Sequence, residues 1–233
     1  LPLATIFILG CIYGAIRIFF DLNDYKDRIE FALTAKTHSD VKINGNLDYS
    51  LFPPYFTVEN LTMINRDSSS FSSEKLVIYP SIPSLILLEL RFKEIEADNF
   101  DLKLVKTSSG LFRFADSSES ILELPAIPEK TPILNLKLSR GNFSFVNTFS
   151  NDTITLNNVN GEIEGITLNK IPERDFLGRL SFMANLVAQS SSYNWLNIDK
   201  REFNFDCREG ELNIAVADES KDESDELFTI QLD

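Results

Sequence analysis

Carboxylates are the most numerous side chains in this sequence with chemistry to offer: 35 Asp and Glu stand against 22 Lys and Arg in 233 residues. Glu94/Glu96 and Glu162/Glu164 have the i, i+2 spacing that places two acids on one face of a strand. Such a pair serves general acid–base catalysis, and it also decorates the solvated face of any acidic β protein. Glu59, Asp206 and Glu209 form a third acidic set only if the fold brings them together, and nothing in the sequence says that it does. The one histidine, His38, sits between Thr37 and Ser39 and reads as a polar loop residue. The two cysteines, Cys11 in an apolar run and Cys207 in a strand-like segment, are poorly placed to pair. There is no Gly-rich phosphate loop, no Gly-x-Ser-x-Gly elbow and no metal-spaced His or Cys set. The chain therefore reads as a non-enzyme, with no catalytic residue, cofactor or metal. Its net charge of −13 disfavours nucleic acid, which needs a basic face, and disfavours a domain lying flat on anionic lipid.

With little chemistry in the polar residues, the apolar ones carry the reading. Leu1 to Phe20 is almost wholly apolar, with Arg17 its only charge. A helix of roughly 20 residues, at about 1.5 Å per residue, spans the hydrocarbon of a bilayer. Ile8, Ile12 and Ile16 sit inside that span, and Arg17 is close enough to its end to reach the headgroups. A cleaved signal peptide, a lipoprotein box at Ile8-Leu9-Gly10-Cys11 and a buried core helix are the competing readings. The run ends in Arg-Ile-Phe-Phe-Asp without a small-residue cleavage site, and it stays apolar after Cys11. A single membrane anchor is the expectation.

Behind the anchor, Asp21 or Asn23 can cap a short helix in which Tyr25, Ile29, Ala32 and Leu33 recur at helical spacing. The period then changes to two. Val41 and Ile43 precede Asn44-Gly45, which reads as a tight turn. Phe52-Pro53-Pro54 breaks regular structure, and strands are expected over Tyr55–Asn65 and Glu74–Tyr79. Ser81–Leu90 is a short apolar stretch, helix or buried strand. Leu134, Leu136 and Leu138 alternate with polar residues, Phe143 and Phe145 follow Arg140-Gly141-Asn142, and a turn is expected at Asn160-Gly161. Further strands are expected around Leu180–Val187, Phe203–Cys207, Leu212–Val216 and Leu227–Leu232, the last behind an acidic loop, Asp218–Glu226. The organisation expected is an anchor over 1–20, an α+β region over 21–116, a linker over 117–130 and a β-sheet region over 131–233 that continues further.

Strands with one greasy face must bury it. Two architectures satisfy this: a long, curled antiparallel sheet whose apolar face is a groove, or a closed β-sandwich. In the first, the alternating Leu136, Leu138, Phe143, Phe145, Phe203 and Phe205 are candidates to line the groove and contact lipid acyl chains; in the second they are dry core. Asn60-Leu61-Thr62, Asn142-Phe143-Ser144 and Asn151-Asp152-Thr153 match the glycosylation pattern, which suits an anchored interaction or adhesion module built on a sandwich.

The order of these segments resembles the N-terminal region of AsmA-type proteins. Leu22-Asn23-Asp24-Tyr25-Lys26 is similar to the family's junction behind its transmembrane helix, and Val41-Lys42-Ile43-Asn44-Gly45-Asn46-Leu47 to its first strand. Ser50-Leu51-Phe52-Pro53, Val58-Glu59-Asn60-Leu61, Ser109-Gly110-Leu111-Phe112-Arg113-Phe114, Leu136 to Phe145 and Leu156-Asn157-Asn158-Val159 follow in the family's order. Thr37-His38-Ser39-Asp40 departs from the Thr-Gly turn found there. The resemblance implies a single-pass protein of the Gram-negative inner membrane with the bulk of its chain in the periplasm. It implies membrane phospholipid and envelope proteins as partners, no catalytic residues, and a part in phospholipid transport or outer-membrane assembly. Larger members, TamB among them, form curled sheets with apolar interiors like those of chorein-type bridge proteins.

Overall fold

Alternating apolar residues give strands longer than the sequence marks out, and the turn expected at Asn160-Gly161 lies inside one of them. The computed structural model describes residues 21–66, 68–81, 92–107, 110–111, 134–168, 180–194, 196–208, 211–217 and 225–231. A 3-10 turn, Leu22–Tyr25, leads into one helix, α1 (Lys26–Thr37). Twelve strands follow: β1 (Asp40–Ile43), β2 (Leu47–Leu51), β3 (Pro54–Ile64), β4 (Ser70–Pro80), β5 (Phe92–Thr107), β6 (Gly110–Leu111), β7 (Leu134–Asn147), β8 (Asp152–Leu168), β9 (Leu180–Tyr193), β10 (Leu196–Arg208), β11 (Glu211–Ala217) and β12 (Asp225–Gln231). They make one open sheet in the order β1-β3-β4-β5-β7-β8-β9-β10-β11-β12, with β2 beside β3 and β6 beside β5. The described residues contain no second sheet, so the sandwich is not the architecture seen. The sheet is not wholly antiparallel either: β5 and β7 pair in parallel, Glu94 against Asn135 through Lys106 against Asn147. A parallel pair needs a crossover of a dozen or more residues, which residues 108–133 supply.

The N-terminal edge of the sheet is closed by side chains. On a helix, residues four apart rise about 6 Å; on a strand edge, alternate N–H groups are about 6.6 Å apart. Glu30 and Thr34 use this match, accepting the Ile43 N–H at 2.7 Å and the Val41 N–H at 3.2 Å. Further along the same edge, Asn23 imitates a strand residue. It accepts the Leu47 N–H at 2.8 Å and donates to the Leu47 carbonyl at 3.2 Å. Lys26 donates to the Gly45 carbonyl at 2.6 Å. Asp21 caps the 3-10 turn by accepting the Asn23 N–H at 2.8 Å. His38 ends α1 in the left-handed conformation, φ 54°, and is exposed.

Local details refine and correct the sequence reading. Only Ile29 of the helix's apolar set packs on the core of Val41, Ile43, Leu47 and Leu61; Tyr25, Ala32 and Leu33 are exposed, because the docking is polar. Asn44-Gly45 does not reverse the chain, since β1 and β2 both pair with β3 and make one interrupted edge strand. Gly45 is needed there for close approach: a Cβ would fall 2.5 Å from the Glu59 Cβ. Asn160-Gly161 is not a turn either. β8 runs through it, with Asn157 opposite Ser190 and Ile163 opposite Ala184 in one register. β12 also begins two residues early, at Asp225. Residues 1–20, with Ile8, Ile12, Ile16 and Arg17, lie outside the described residues, as do 82–90 and the linker 117–130. Among the described residues no helix is long and apolar enough to cross a membrane.

Candidate apolar trough

Strict alternation would put residues five apart on opposite faces of a strand. Phe71 and Leu76 on β4, Ala97 and Leu102 on β5, and Leu138 and Phe143 on β7 are each five apart, yet all belong to one apolar cluster. The mismatch is absorbed in mid-strand by residues in the left-handed region: Asn60 (φ 51°), Asn99 (47°), Arg140 (54°) and Asn158 (49°). The register aligns them across β3, β5, β7 and β8. Asn60 and Asn99 are each flanked by pairs to Ser73 and Lys75, Arg140 by Asp98/Ser139 and Asp101/Asn142, and Asn158 follows next to Val159, the partner of Gly141. Together they crease the sheet along a line perpendicular to the strands. At the crease each strand spends two consecutive polar residues on its outer side, and the apolar phase resumes on the inner side. The doublets are Glu59-Asn60, Glu74-Lys75, Asp98-Asn99, Ser139-Arg140, Asn157-Asn158 and Gln189-Ser190.

Side chains repair the ladder where the left-handed residues interrupt it. Asn160 accepts the Arg140 N–H at 2.9 Å, and Asn142 accepts the Asn158 N–H at 3.3 Å. The buried Ser73 hydroxyl donates to the Asp98 carbonyl at 2.9 Å and the Lys75 carbonyl at 3.0 Å. On the outer face the Arg140 guanidinium grips Asp98 with both arms of its fork, Nε to Oδ1 at 2.9 Å and Nη2 to Oδ2. Those hydrogen bonds hold the Asp98 carboxyl below its usual range. Asn is the residue expected at such positions, since its short polar side chain tolerates the left-handed region.

Residues along the crease are among the most buried, and Val41 and Cys207, 1% exposed each, are as deep elsewhere in the sheet. Ala188 is 0% exposed, Val159 1%, Ala97 2% and Phe100 3%. Burial falls away toward one set of strand ends, to 36% at Ile154, 48% at Tyr193 and 49% at Leu196. The inner face is therefore a candidate trough, with the crease running across it. Phe100 forms part of its floor by lying over Gly141 of the next strand, whose Cβ, if present, would be 1.9 Å from the ring. The six candidate residues are half-buried and flank the floor. Leu138 and Phe143 stand next to it on β7, with Leu136 and Phe145 one step further out on either side. Phe203 and Phe205 stack at 6.2 Å on β10.

The candidates are not a local patch. Leu136 belongs to a rank that crosses the sheet by direct pairing: Tyr49, Phe56, Ile78, Ile95, Leu136, Ile163, Ala184, Phe205. On the other side of the crease, Val41, Met63, Phe71, Leu102, Phe143 and Leu156 form a second. The floor residues Phe100, Val159 and Ala188 are absent from the sequence-based set, and the polar doublets are the signal that marks them.

The carboxylates face elsewhere. Glu94 accepts from Lys137 at 3.2 Å and Glu96 from the Tyr79 hydroxyl at 3.3 Å, alternating along β5 with the inward Ile95. Burial, reinforced by Glu96, pushes the Tyr79 hydroxyl upward in pKa. Glu162 and Glu164 are exposed. Glu59 and Asp206 lie on β3 and β10, six strand spacings or roughly 29 Å apart, so the third acidic set does not assemble; Glu209 is outside the described residues. Among the described residues no group of three His, Cys, Asp or Glu could hold a metal. A cavity of about 40 Å³ between β3, β4 and β5 has room for water but not for an acyl chain. Comparison with protein-family models and with curated proteins gives no match.

Proposed function

We propose that this protein is a membrane-anchored β-groove protein that carries phospholipid acyl chains along its apolar trough, in phospholipid transport or outer-membrane assembly. The observation that carries the reading is the continuity of apolar ranks across the strands on one face of an open sheet. The longer rank, from Tyr49 on β2 to Phe205 on β10, crosses seven strand spacings, about 34 Å at about 4.8 Å each. One leaflet's hydrocarbon is about half of the ~30 Å core, so the trough is long enough to take a chain in at one point and release it at another. Each CH₂ kept out of water is worth about 0.8 kcal/mol, and a chain moving along equivalent ranks keeps that contact throughout. The AsmA resemblance supports the same reading and adds its setting: a single-pass anchor over Leu1–Phe20 in the inner membrane, and the β-sheet in the periplasm. In this reading the protein is not an enzyme and uses no cofactor. An open sheet fits a carrier better than a closed adhesion module.

Photo-crosslinking amino acids at Leu136, Phe145 and Phe205 of the full chain test this in cells. Capture of phospholipid at these positions, and not at the outward Glu162, is expected. No capture at any of them, with no extractable lipid on the purified protein, overturns the proposal. A periplasm-only reporter fused after Asp233 is expected to be active; activity of a cytoplasm-only reporter there would reverse the topology.

A further inference from the structure

An ordinary surface helix docks by its apolar stripe and shows its polar side to water. Helix α1 does the reverse. Glu30 and Thr34 face β1 and satisfy its edge. On the flank turned away, Phe31 is 77% exposed and Tyr25 41%, with Ala32 and Ala35 between them on the helical wheel. Arg28 shares that flank, its guanidinium 5.9 Å from the Tyr25 ring centroid. A phenylalanine so exposed, on the helix that immediately follows a twenty-residue apolar segment, needs an apolar neighbour that is not this sheet.

We infer that α1 is an interfacial helix: it lies in the headgroup region of the bilayer, with Phe31 and Tyr25 turned into the lipid and the β1 edge resting on its inner side. This rests on the membrane-anchored reading and deepens it by fixing how the sheet meets the membrane. Three further observations favour a lipid surface as the occupant. The apolar segment ends at Phe20, and Asp21 begins the cap of the turn leading into α1, so the tether holds this edge against the bilayer. The charges of residues 22–37 cancel, with Asp24, Asp27 and Glu30 against Lys26, Arg28 and Lys36, whereas the whole chain is −13. The helix therefore escapes most of the repulsion from anionic lipid that the rest of the chain feels, and Glu30 is turned inward. Phe52, 84% exposed, tips the β2–β3 turn on the same edge. A helix lying in the interface sits roughly 5–10 Å into the headgroup boundary; with Arg28 between Tyr25 and Phe31 on its flank, α1 is seated there by these two rings and not by a continuous apolar stripe. The trough axis, which crosses the strands, then rises away from the membrane instead of lying along it.

The test places an indole at the helix by Phe31→Trp in a Trp195→Phe background of the full chain, reconstituted in phosphatidylethanolamine/phosphatidylglycerol vesicles. Lipids brominated at the top of the acyl chains are the quencher. Phe149→Trp, at an equally exposed phenylalanine in the distant β7–β8 turn (84%), is the control. The expected result is blue-shifted emission, strongly quenched, for Phe31→Trp, and unshifted, unquenched emission for Phe149→Trp. Water-like emission from Phe31→Trp, or equal quenching at both sites, overturns the inference. Alkaline carbonate extraction of the same vesicles reports on the anchor separately. Retention without quenching at position 31 leaves the anchor and removes the interfacial helix; quenching with release at high pH does the opposite.

Discussion

The contact between Phe100 and Gly141 is the sharpest handle on the crease. Gly141 is outside the left-handed region, so a side chain there is excluded by space and not by backbone conformation. A Cβ would stand 1.9 Å from the Phe100 ring, where carbon atoms rest at about 3.5 Å or more. The ring would have to retreat by roughly 1.5 Å, and at 3% exposure it is walled in by its own cluster. Gly141→Ala should therefore cost about 1–3 kcal/mol, the usual range for overpacking. Phe100→Ala empties the same space and should cost about 3–5 kcal/mol. If the two residues compete for one volume, Gly141→Ala combined with Phe100→Ala is less destabilised than the sum of the singles, by about 1–3 kcal/mol. Urea unfolding of the full chain in detergent micelles, followed by far-ultraviolet circular dichroism, gives each value from the midpoint at unchanged slope. Strict additivity, or a Gly141→Ala variant within about 0.5 kcal/mol of the parent, would falsify the account of the trough floor.

The same logic reaches the edge, the lining and the anchor. The Ile43 N–H, helped by Lys42, holds the Glu30 carboxyl below its ordinary range. A depressed carboxylate contributes stability that is complete above the ordinary glutamate value and lost as pH falls through the folded one. Glu30→Gln keeps an acceptor and should flatten that acid limb, and Glu30→Ala should cost about 1–3 kcal/mol at neutral pH by orphaning the N–H; parallel acid titrations of the three proteins decide. Phe145→Asn should lower phospholipid capture while the protein stays folded, because its amide can reach water from a half-buried position. In a closed core the same amide would cost a few kcal/mol and unfold the chain. Ile8→Asp should weaken membrane insertion by roughly 2.5–3.5 kcal/mol, read as a larger fraction released by alkaline carbonate.

Period-two patterning made the β character legible, and with it the face that the apolar residues of a strand share. Leu136, Leu138, Phe143 and Phe145 announce their face by alternation alone. The same habit of reading misplaced the chain reversals. Asn44-Gly45 and Asn160-Gly161 carry turn chemistry, but glycine serves equally well where a neighbouring strand comes too close for a Cβ, as at Gly45 and Gly161. The crease is marked instead by the flanking phase. Around Val58-Glu59-Asn60-Leu61 and Leu156-Asn157-Asn158-Val159 the apolar residues resume after three positions, not two, and the same slip recurs from strand to strand. One such slip is unremarkable; six in pairing register make a crease, and that register is a long-range property no single segment displays. The helix was legible, but not what it faces. Tyr25, Ile29, Ala32 and Leu33 have helical spacing, but spacing does not tell whether a stripe faces the protein or something outside it.

Edge and face pose separate problems for an open apolar sheet, and this chain answers them with different residue types. An unpaired strand edge recruits other chains through backbone hydrogen bonds, whereas an open apolar face recruits anything greasy. Had α1 closed the β1 edge with an apolar stripe, that stripe would have extended the inner face and competed with the proposed lipid for it. Asn23, Glu30 and Thr34 close it with oxygen acceptors instead, at a spacing that a helix and a strand happen to share. The crease answers the second problem. Without the slip at Asn60, Asn99, Arg140 and Asn158, the apolar phase of each long strand would cross to the outer face halfway along, and neither face would hold a continuous path. With it, Leu138 and Phe143 stand on either side of one floor. The polar doublets are thus what keeps the greasy ranks together, and a change that straightened the strands would divide the trough before it removed a single residue that lines it.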